Sequence, residues 1–452
     1  MKDLIFTLFG ATGDLALRKL LPAIKRLLEH HQLPENTLVI AVGRRPFSTD
    51  EYFDYVLKNQ PDHQNIDRLR NHFIYQPLGI DHVEDYRRLK DLIHSQSHST
   101  TRHIFYLALS PDLFPVVSIF LSQTQLIEKG NVHQSIAFEK PFGHDLESAK
   151  RINQTLWSCF DEEQIYRIDH YLGKEMIQNI MVVRFANRIF EEAWDNRSIK
   201  KVTIVAKETD GILQRGLYYD HSGALKDMVQ SHLLQMLSMV AMEVPMSYRS
   251  EDVKNEKVKV LKQLTFDSTR LVLGQYEGYL NEKDVQKHSQ TETYVEMVTY
   301  VNTPRFKGVP FVLITGKKMD SKESYITIEF EETNEQRKWN LPLSSNRLHI
   351  KIAPLDGVSL VLNSKVPGLT NDVEQVELEY CIACQAVGNM TEAYEKLLIE
   401  MMAYHKSLFT RWDEIELSWK FIDRIKQIEH QLVIYKDYQD LQAKKGTHHE
   451  DL

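Results

Sequence analysis

The stretch Arg167-Ile168-Asp169-His170-Tyr171-Leu172-Gly173-Lys174-Glu175 gathers a carboxylate, an imidazole, a phenol and an ammonium within a few residues. If the chain is helical from Tyr171 onward, His170 and Lys174 lie one turn apart, and Tyr171 and Lys174 are neighbours too. Three donors then converge, a set that suits a phosphate group. The same residues could also begin a surface helix with incidental charges. A second candidate is Phe9-Gly10-Ala11-Thr12-Gly13-Asp14-Leu15-Ala16. Small residues at 10, 13 and 16 let the backbone turn tightly and approach a pyrophosphate, and the helix N-terminus beyond adds free N–H groups and a positive dipole end. The spacing is G-x-x-G-x-x-A, not G-x-G-x-x-G, and such a turn can be purely structural. Its place at the first strand–helix junction favours a nucleotide, with Gly10, Ala11, Thr12, Gly13, Asp14 and Leu15 as the loop that holds it. The second strand ends Val42-Gly43-Arg44-Arg45-Pro46, without the acidic residue that binds a ribose 2′-hydroxyl. A guanidinium pairs with a 2′-phosphate that a carboxylate would repel, so Arg44 points to NADP over NAD. His232 lies near an apolar helical stripe of Leu225, Met228, Val229, Leu233, Met236, Leu237 and Val240; by residue type alone it reads as a satisfied core histidine. Cys381 and Cys384 form a lone C-x-x-C and read as two small residues in a buried helix, with no metal site expected.

The elements that must position these residues follow from periodicity. Leu4–Phe9, Leu38–Val42, His103–Leu109 and Ser135–Phe138 are short apolar runs, and Ala16–Glu29 has helical spacing. Strands alternating with helices predict an N-terminal Rossmann-like, doubly wound parallel sheet, an α/β domain. Later, Lys200–Lys207, Val258–Gly274, Thr293–Asn302, Phe311–Gly316, Tyr325–Phe330 and Leu348–Ile352 read as strands without regular intervening helices. That pattern predicts a larger α+β domain with a mainly antiparallel sheet. Residues 391–428 return to helical periodicity. The division is placed at 1–170 and 171–452.

With 452 residues, 42% of them hydrophobic, the chain has material for two or three cores. Its 55 Lys+Arg against 63 Asp+Glu give a net charge of −8, which argues against a nucleic-acid or anionic-membrane binder. Three cysteines exclude a disulfide framework. The start, MKDLIFTLFG, reads as a strand and not a signal peptide, and no run of about 18 apolar residues predicts a membrane span. A cytoplasmic protein is expected.

The segment Asp169–Glu175, DHYLGKE, resembles the signature of the glucose-6-phosphate dehydrogenase family. GATGDLALRK at 10–19, FYLALSP at 105–111, EKPFG at 139–143, KDMVQSHLLQML at 226–237, GQY at 274–276, GVPFVLITGKKM at 308–319 and SKVPG at 364–368 are similar to further family segments, so the resemblance reaches from the N-terminus to about residue 430. It implies oxidation of glucose 6-phosphate to the 6-phosphoglucono-lactone with NADP. It also implies His232 as general base and Asp169 as the carboxylate that orients it. His170, Tyr171 and Lys174 are implied as the phosphate site, Glu208 and Asp227 as partners of the sugar hydroxyls, Lys317 as a second substrate lysine, and Lys140 as a lysine between cofactor and sugar. Lys322 is a weaker match, and Pro141 is a candidate cis proline. A homodimer through the open sheet is expected by analogy. Two departures stand out: Phe114 replaces a tyrosine common near the cofactor, and the aromatic, glycine-rich C-terminal run is missing, which implies no second, structural NADP site. Another sugar phosphate, a free sugar, or a non-enzymatic paralogue are the competing readings; retention of Asp169, Lys174 and His232 argues against the last.

Overall fold

The computed structural model describes residues 2–60, 66–382 and 392–445. The chain divides into two compact units, Met1–Gly173 with Thr391–Trp412, and Lys174–Met390 with Asp413–Leu452.

In the first unit, β1 (Leu4–Phe9), β2 (Thr37–Gly43), β3 (Phe73–Pro77), β4 (Arg102–Leu107), β5 (Gln134–Phe138) and β6 (Ile165–Ile168) form a parallel sheet in the order 3-2-1-4-5-6. The short strand Phe409–Thr410 adds antiparallel to β6. β1, β2 and β4 are buried at every position, as strands covered on both faces must be. Side chains alternate between the faces. Ile5, Phe9, Ile40 and Leu107 share one core with Leu89, Val117 and Leu156. Leu4, Phe6 and Val39 meet Ile24, Leu27 and Leu398 on the other side. The first helices are α1 (Leu21–Glu29) and α2 (Thr49–Asn59).

The apolar runs expected as strands form β1, β2, β4 and β5. β3 and β6 were not foreseen; β6 is four residues long and carries a fully buried arginine, Arg167, whose guanidinium is met by Glu162 and Asn153. The sequence-based division at 170 also has no place for residues 392–412 in the first unit. They are tied there by Arg26, paired with Glu392 at 3.3 Å and with Glu395, and by Arg102, which donates to the Met401 carbonyl at 2.9 Å.

The second unit holds β7 (Ile199–Lys207), β8 (Leu264–Tyr276), β9 (Tyr294–Val301), β10 (Pro310–Gly316), β11 (Glu323–Phe330), β12 (Arg347–Ala353), β13 (Gly357–Lys365) and β14 (Val373–Cys381). Their order is 14-13-12-11-7-10-9-8, closed by the strand Val433–Tyr435. Pairing is antiparallel except for β7 with β10 and for Val433–Tyr435 with β8. The strand expected over Val258–Gly274 begins only at Leu264, because Ser250–Lys262 is a helix. Acidic Glu251 and Asp252 favour a helix start there, and Val253, Val258 and Leu261 are its buried positions. β14 escaped notice because its residues are half-buried or exposed and rich in glutamate. Cys381 ends β14, half-buried and disulfide-bonded, so it does not sit in a buried helix; Cys384 lies outside the described residues. Among the described residues no helix is long and apolar enough to cross a membrane.

Candidate active site

In the first unit the turn after β1 is shaped by Gly10, whose φ is +77° and whose absent Cβ would lie 2.3 Å from the Ala108 carbonyl oxygen. Only glycine fits there. Ala11 N–H is held by the Val42 carbonyl at 3.0 Å and Gly13 N–H by the Gly10 carbonyl at 2.9 Å. Two tyrosines of α2 fix the same loop from behind. Tyr52 Oη donates to the Ala11 carbonyl at 3.0 Å and Tyr55 Oη to the Thr12 carbonyl at 3.2 Å. The chain then enters a helix whose first part, Ala16–Leu20, is π-helical before α1. Asp14 is exposed and paired with Arg18 at 2.8 Å; Leu15 is half-buried. Beyond β2, Arg44 is exposed, and Arg45 stacks its guanidinium on the Tyr55 ring at 4.4 Å. A backbone-only turn at a helix start with two arginines at the next strand end fits a phosphate-bearing dinucleotide. Phe114 is fully buried and packs on Phe138, so it belongs to the core.

After β5 the Lys140–Pro141 peptide is cis. Glu139, just before Lys140, is buried; the Tyr106 phenol donates to it, and Tyr394 is a second hydrogen-bond partner. Burial pushes its carboxyl up to about 7, against the opposing effect of those phenols and of Lys140. Tyr394 also lies parallel to the His170 ring, at 6.2 Å between centroids. Asp169 is buried, and its Oδ1 accepts the Tyr171 N–H at 3.0 Å. Leu172 N–H returns to the Asp169 carbonyl at 3.0 Å, and Gly173 N–H to the His170 carbonyl at 3.2 Å. Gly173 allows the chain to pass the Ala393 carbonyl oxygen, which a Cβ would meet at 2.7 Å. Tyr171 onward is therefore a turn and not the expected helix: the Asp169 carboxylate takes the Tyr171 N–H, and the Leu172 and Gly173 N–H groups close onto carbonyls three residues back. The helix starts at Glu175, with Lys174 in extended geometry at its cap, and Lys174 already belongs to the second unit.

In the second unit, Asp227 and His232 lie on one π-helical segment, Leu225–Leu233, and both are buried. π-turns are rare and concentrate at functional sites. Gly223 breaks the preceding helix with φ 65° and ψ 175°, and the buried Glu292 carboxylate accepts the Leu225 N–H at 2.9 Å, capping the segment. Tyr218 Oη donates to Asp227 at 3.1 Å. Glu208 and Lys317 form an ion pair. Their backbones are laced together: Glu208 N–H to Gly316 at 2.9 Å, Met319 N–H to Glu208 at 3.0 Å, and Lys318, at φ +57°, N–H to Asp210 at 3.2 Å. The Lys317 ammonium lies 5.1 Å from the Tyr219 ring centroid. Burial first, then the charges of Asp227, Glu292 and Glu208, holds the Tyr219 phenol well above its ordinary range. Thus Glu208, Asp227 and Lys317 surround one buried tyrosine, while Lys322 is exposed. The supporting residues Tyr52, Tyr55, Tyr218, Tyr219 and Glu292 gave no sequence signal; tyrosine abundance across 218–219 was the nearest hint.

Comparison with known proteins shows the family of the chain. Residues 7–179 match the family model for the glucose-6-phosphate dehydrogenase NAD binding domain, and residues 181–447 that for its C-terminal domain. Glucose-6-phosphate 1-dehydrogenase of Bacillus subtilis (strain 168) is 37% identical over 451 residues, 94% of this chain and 91% of that protein. The Dictyostelium discoideum enzyme of that name is 35% identical over 448 residues, 95% of this chain and 90% of that protein. A solved glucose-6-phosphate dehydrogenase in complex with glucose 6-phosphate superposes with TM-score 0.89 at 32% identity, covering 96% of this chain and 94% of that one. The Mycobacterium avium glucose-6-phosphate 1-dehydrogenase structure gives TM-score 0.86 at 30% identity, covering 97% and 94%. With both domains matched and the relatives aligned over nearly their full lengths, the chain belongs to the glucose-6-phosphate dehydrogenase family and carries a nicotinamide-dinucleotide-binding domain.

Proposed function

We propose that this chain oxidises D-glucose 6-phosphate at C1 to 6-phospho-D-glucono-1,5-lactone with NADP, the first step of the oxidative pentose phosphate route. The observation that carries the reading is the full-length match to a relative solved with glucose 6-phosphate. NADP, when bound, supplies the hydride acceptor. The backbone of Gly10, Ala11, Thr12, Gly13, Asp14 and Leu15 receives the pyrophosphate, and Arg44 pairs with the 2′-phosphate. His232 takes the C1 hydroxyl proton, a task for which histidine is the side chain most often used. Asp169 holds the imidazole in one tautomer and stabilises the imidazolium that develops. His170, Tyr171 and Lys174 bind the substrate phosphate, and Lys140 lies between sugar and cofactor. Glu208 and Asp227 bind sugar hydroxyls, with Lys317 beside Glu208. The first unit carries the cofactor role and the second the substrate and dimerisation roles, in a cytoplasmic homodimer. Replacement His232→Asn tests the base. It should lower kcat by about 10²-fold or more with KM for the sugar phosphate little changed, because the proton is taken only in the transition state. Near-normal turnover contradicts the assignment.

A further inference from the structure

The C-terminal strand reaches back to the substrate lysine. Tyr435 is fully buried in a cluster with Tyr219, Tyr276, Tyr294 and Met319. Its hydroxyl lies 2.7 Å from the Lys317 carbonyl oxygen and 2.9 Å from Thr293 Oγ1. The directions of these bonds are fixed. The Lys317 carbonyl can only accept, so the single hydroxyl hydrogen of Tyr435 goes to it; the Thr293 hydroxyl is then the donor to Tyr435, while its oxygen accepts the Tyr276 N–H at 3.0 Å. Burial raises the phenol's pKa and keeps it a donor. Lys317 N–H, meanwhile, donates to the Thr293 carbonyl at 3.0 Å. Both peptide groups of Lys317 are thereby pinned, just before Lys318 takes its left-handed conformation. Tyr435 is itself held in place. Its strand pairs with β8, its carbonyl accepts the Glu277 N–H at 2.7 Å, and the following helix Tyr438–Lys445 is anchored by Lys445 on Glu296 and on the Tyr294 hydroxyl at 3.1 Å.

We infer that Tyr435 is a positioning residue for substrate binding: its hydroxyl orients the Lys317 peptide, so that the Lys317 ammonium stands beside Glu208 where the sugar phosphate is received. This rests on the functional reading above. Tyr435→Phe removes one oxygen and should raise KM for glucose 6-phosphate about tenfold, the scale of one lost buried hydrogen bond, with kcat and KM for NADP unchanged. Because the residue acts through Lys317, the same change made in a Lys317→Ala background should raise KM no further. Thr293→Val, which removes the hydroxyl behind Tyr435, should shift the same KM in the same direction and decides the matter if Tyr435→Phe does not fold. An unchanged KM in the folded variant, or an equal effect with and without Lys317, overturns the inference. A wild-type protein inert toward glucose 6-phosphate contradicts the functional reading itself, and this inference with it.

Discussion

Glu139 carries a testable consequence for single side chains. Its carboxyl is pushed up to about 7 by burial, so between the ordinary glutamate range and pH 7 the folded protein binds a proton that the unfolded chain releases. The neutral form is the better folded one, and stability from this group is therefore lost as pH rises through 7. Glu139→Gln keeps an acceptor for the Tyr106 hydroxyl but cannot ionise. Compared with that variant, the wild type should lose thermal stability between pH 5 and pH 8; parallel Tm curves would reject the assignment. Residues of this kind explain the limit of reading from sequence. The tight turn at Gly10 was legible because residue type and adjacency state its chemistry locally, and the role proposed for Arg44 rests on the same kind of local reading. The roles proposed for Asp169, His232 and Lys317 rest on resemblance alone, since a histidine near an apolar stripe looks like any core histidine. Glu139, Tyr435 and Tyr52 act through partners up to 255 positions away, in the case of Glu139 and Tyr394, and no local pattern reports such a contact.

Elements show the same division. Continuous apolar runs such as β1 and β2 announced a doubly covered parallel sheet, and it is there. The turn at Asp169–Gly173 did not announce itself, because helical spacing of His170 and Lys174 competes with an aspartate that takes the Tyr171 N–H. The π-helical segment Leu225–Leu233 was equally hidden, its register being set by tertiary contact with Glu292. Gly223 is where that register is made. Its φ of 65° with ψ of 175° is glycine territory, and a Cβ would stand 2.3 Å from a Glu292 carboxylate oxygen. Gly223→Ala should cost about 2 kcal/mol of stability, seen as a lower Tm. It should also reduce kcat, since Asp227 and His232 ride on the segment that Gly223 starts. An alanine variant as stable and active as the wild type would contradict this.

At the level of the whole molecule, a net charge of −8 has to coexist with two phosphorylated ligands. The proposed answer is local: Arg44, Lys140, His170 and Lys174 together with a helix N-terminus. The two units were foreseen, whereas the return of residues 392–412 to the first was not, because Arg26 and Arg102 reach that segment only in the folded chain. The proposed homodimer should scatter light as twice the 52.9 kDa chain, and a mass of 52.9 kDa would refute it. The central claim is tested most directly by mixing the purified protein with glucose 6-phosphate and following nicotinamide reduction, with NADP and with NAD, and with free glucose as control. The account predicts reduction with glucose 6-phosphate, higher kcat/KM for NADP, and little or none with glucose, whose missing phosphate would leave His170, Tyr171 and Lys174 without their ligand. No reduction with glucose 6-phosphate and either cofactor would contradict it.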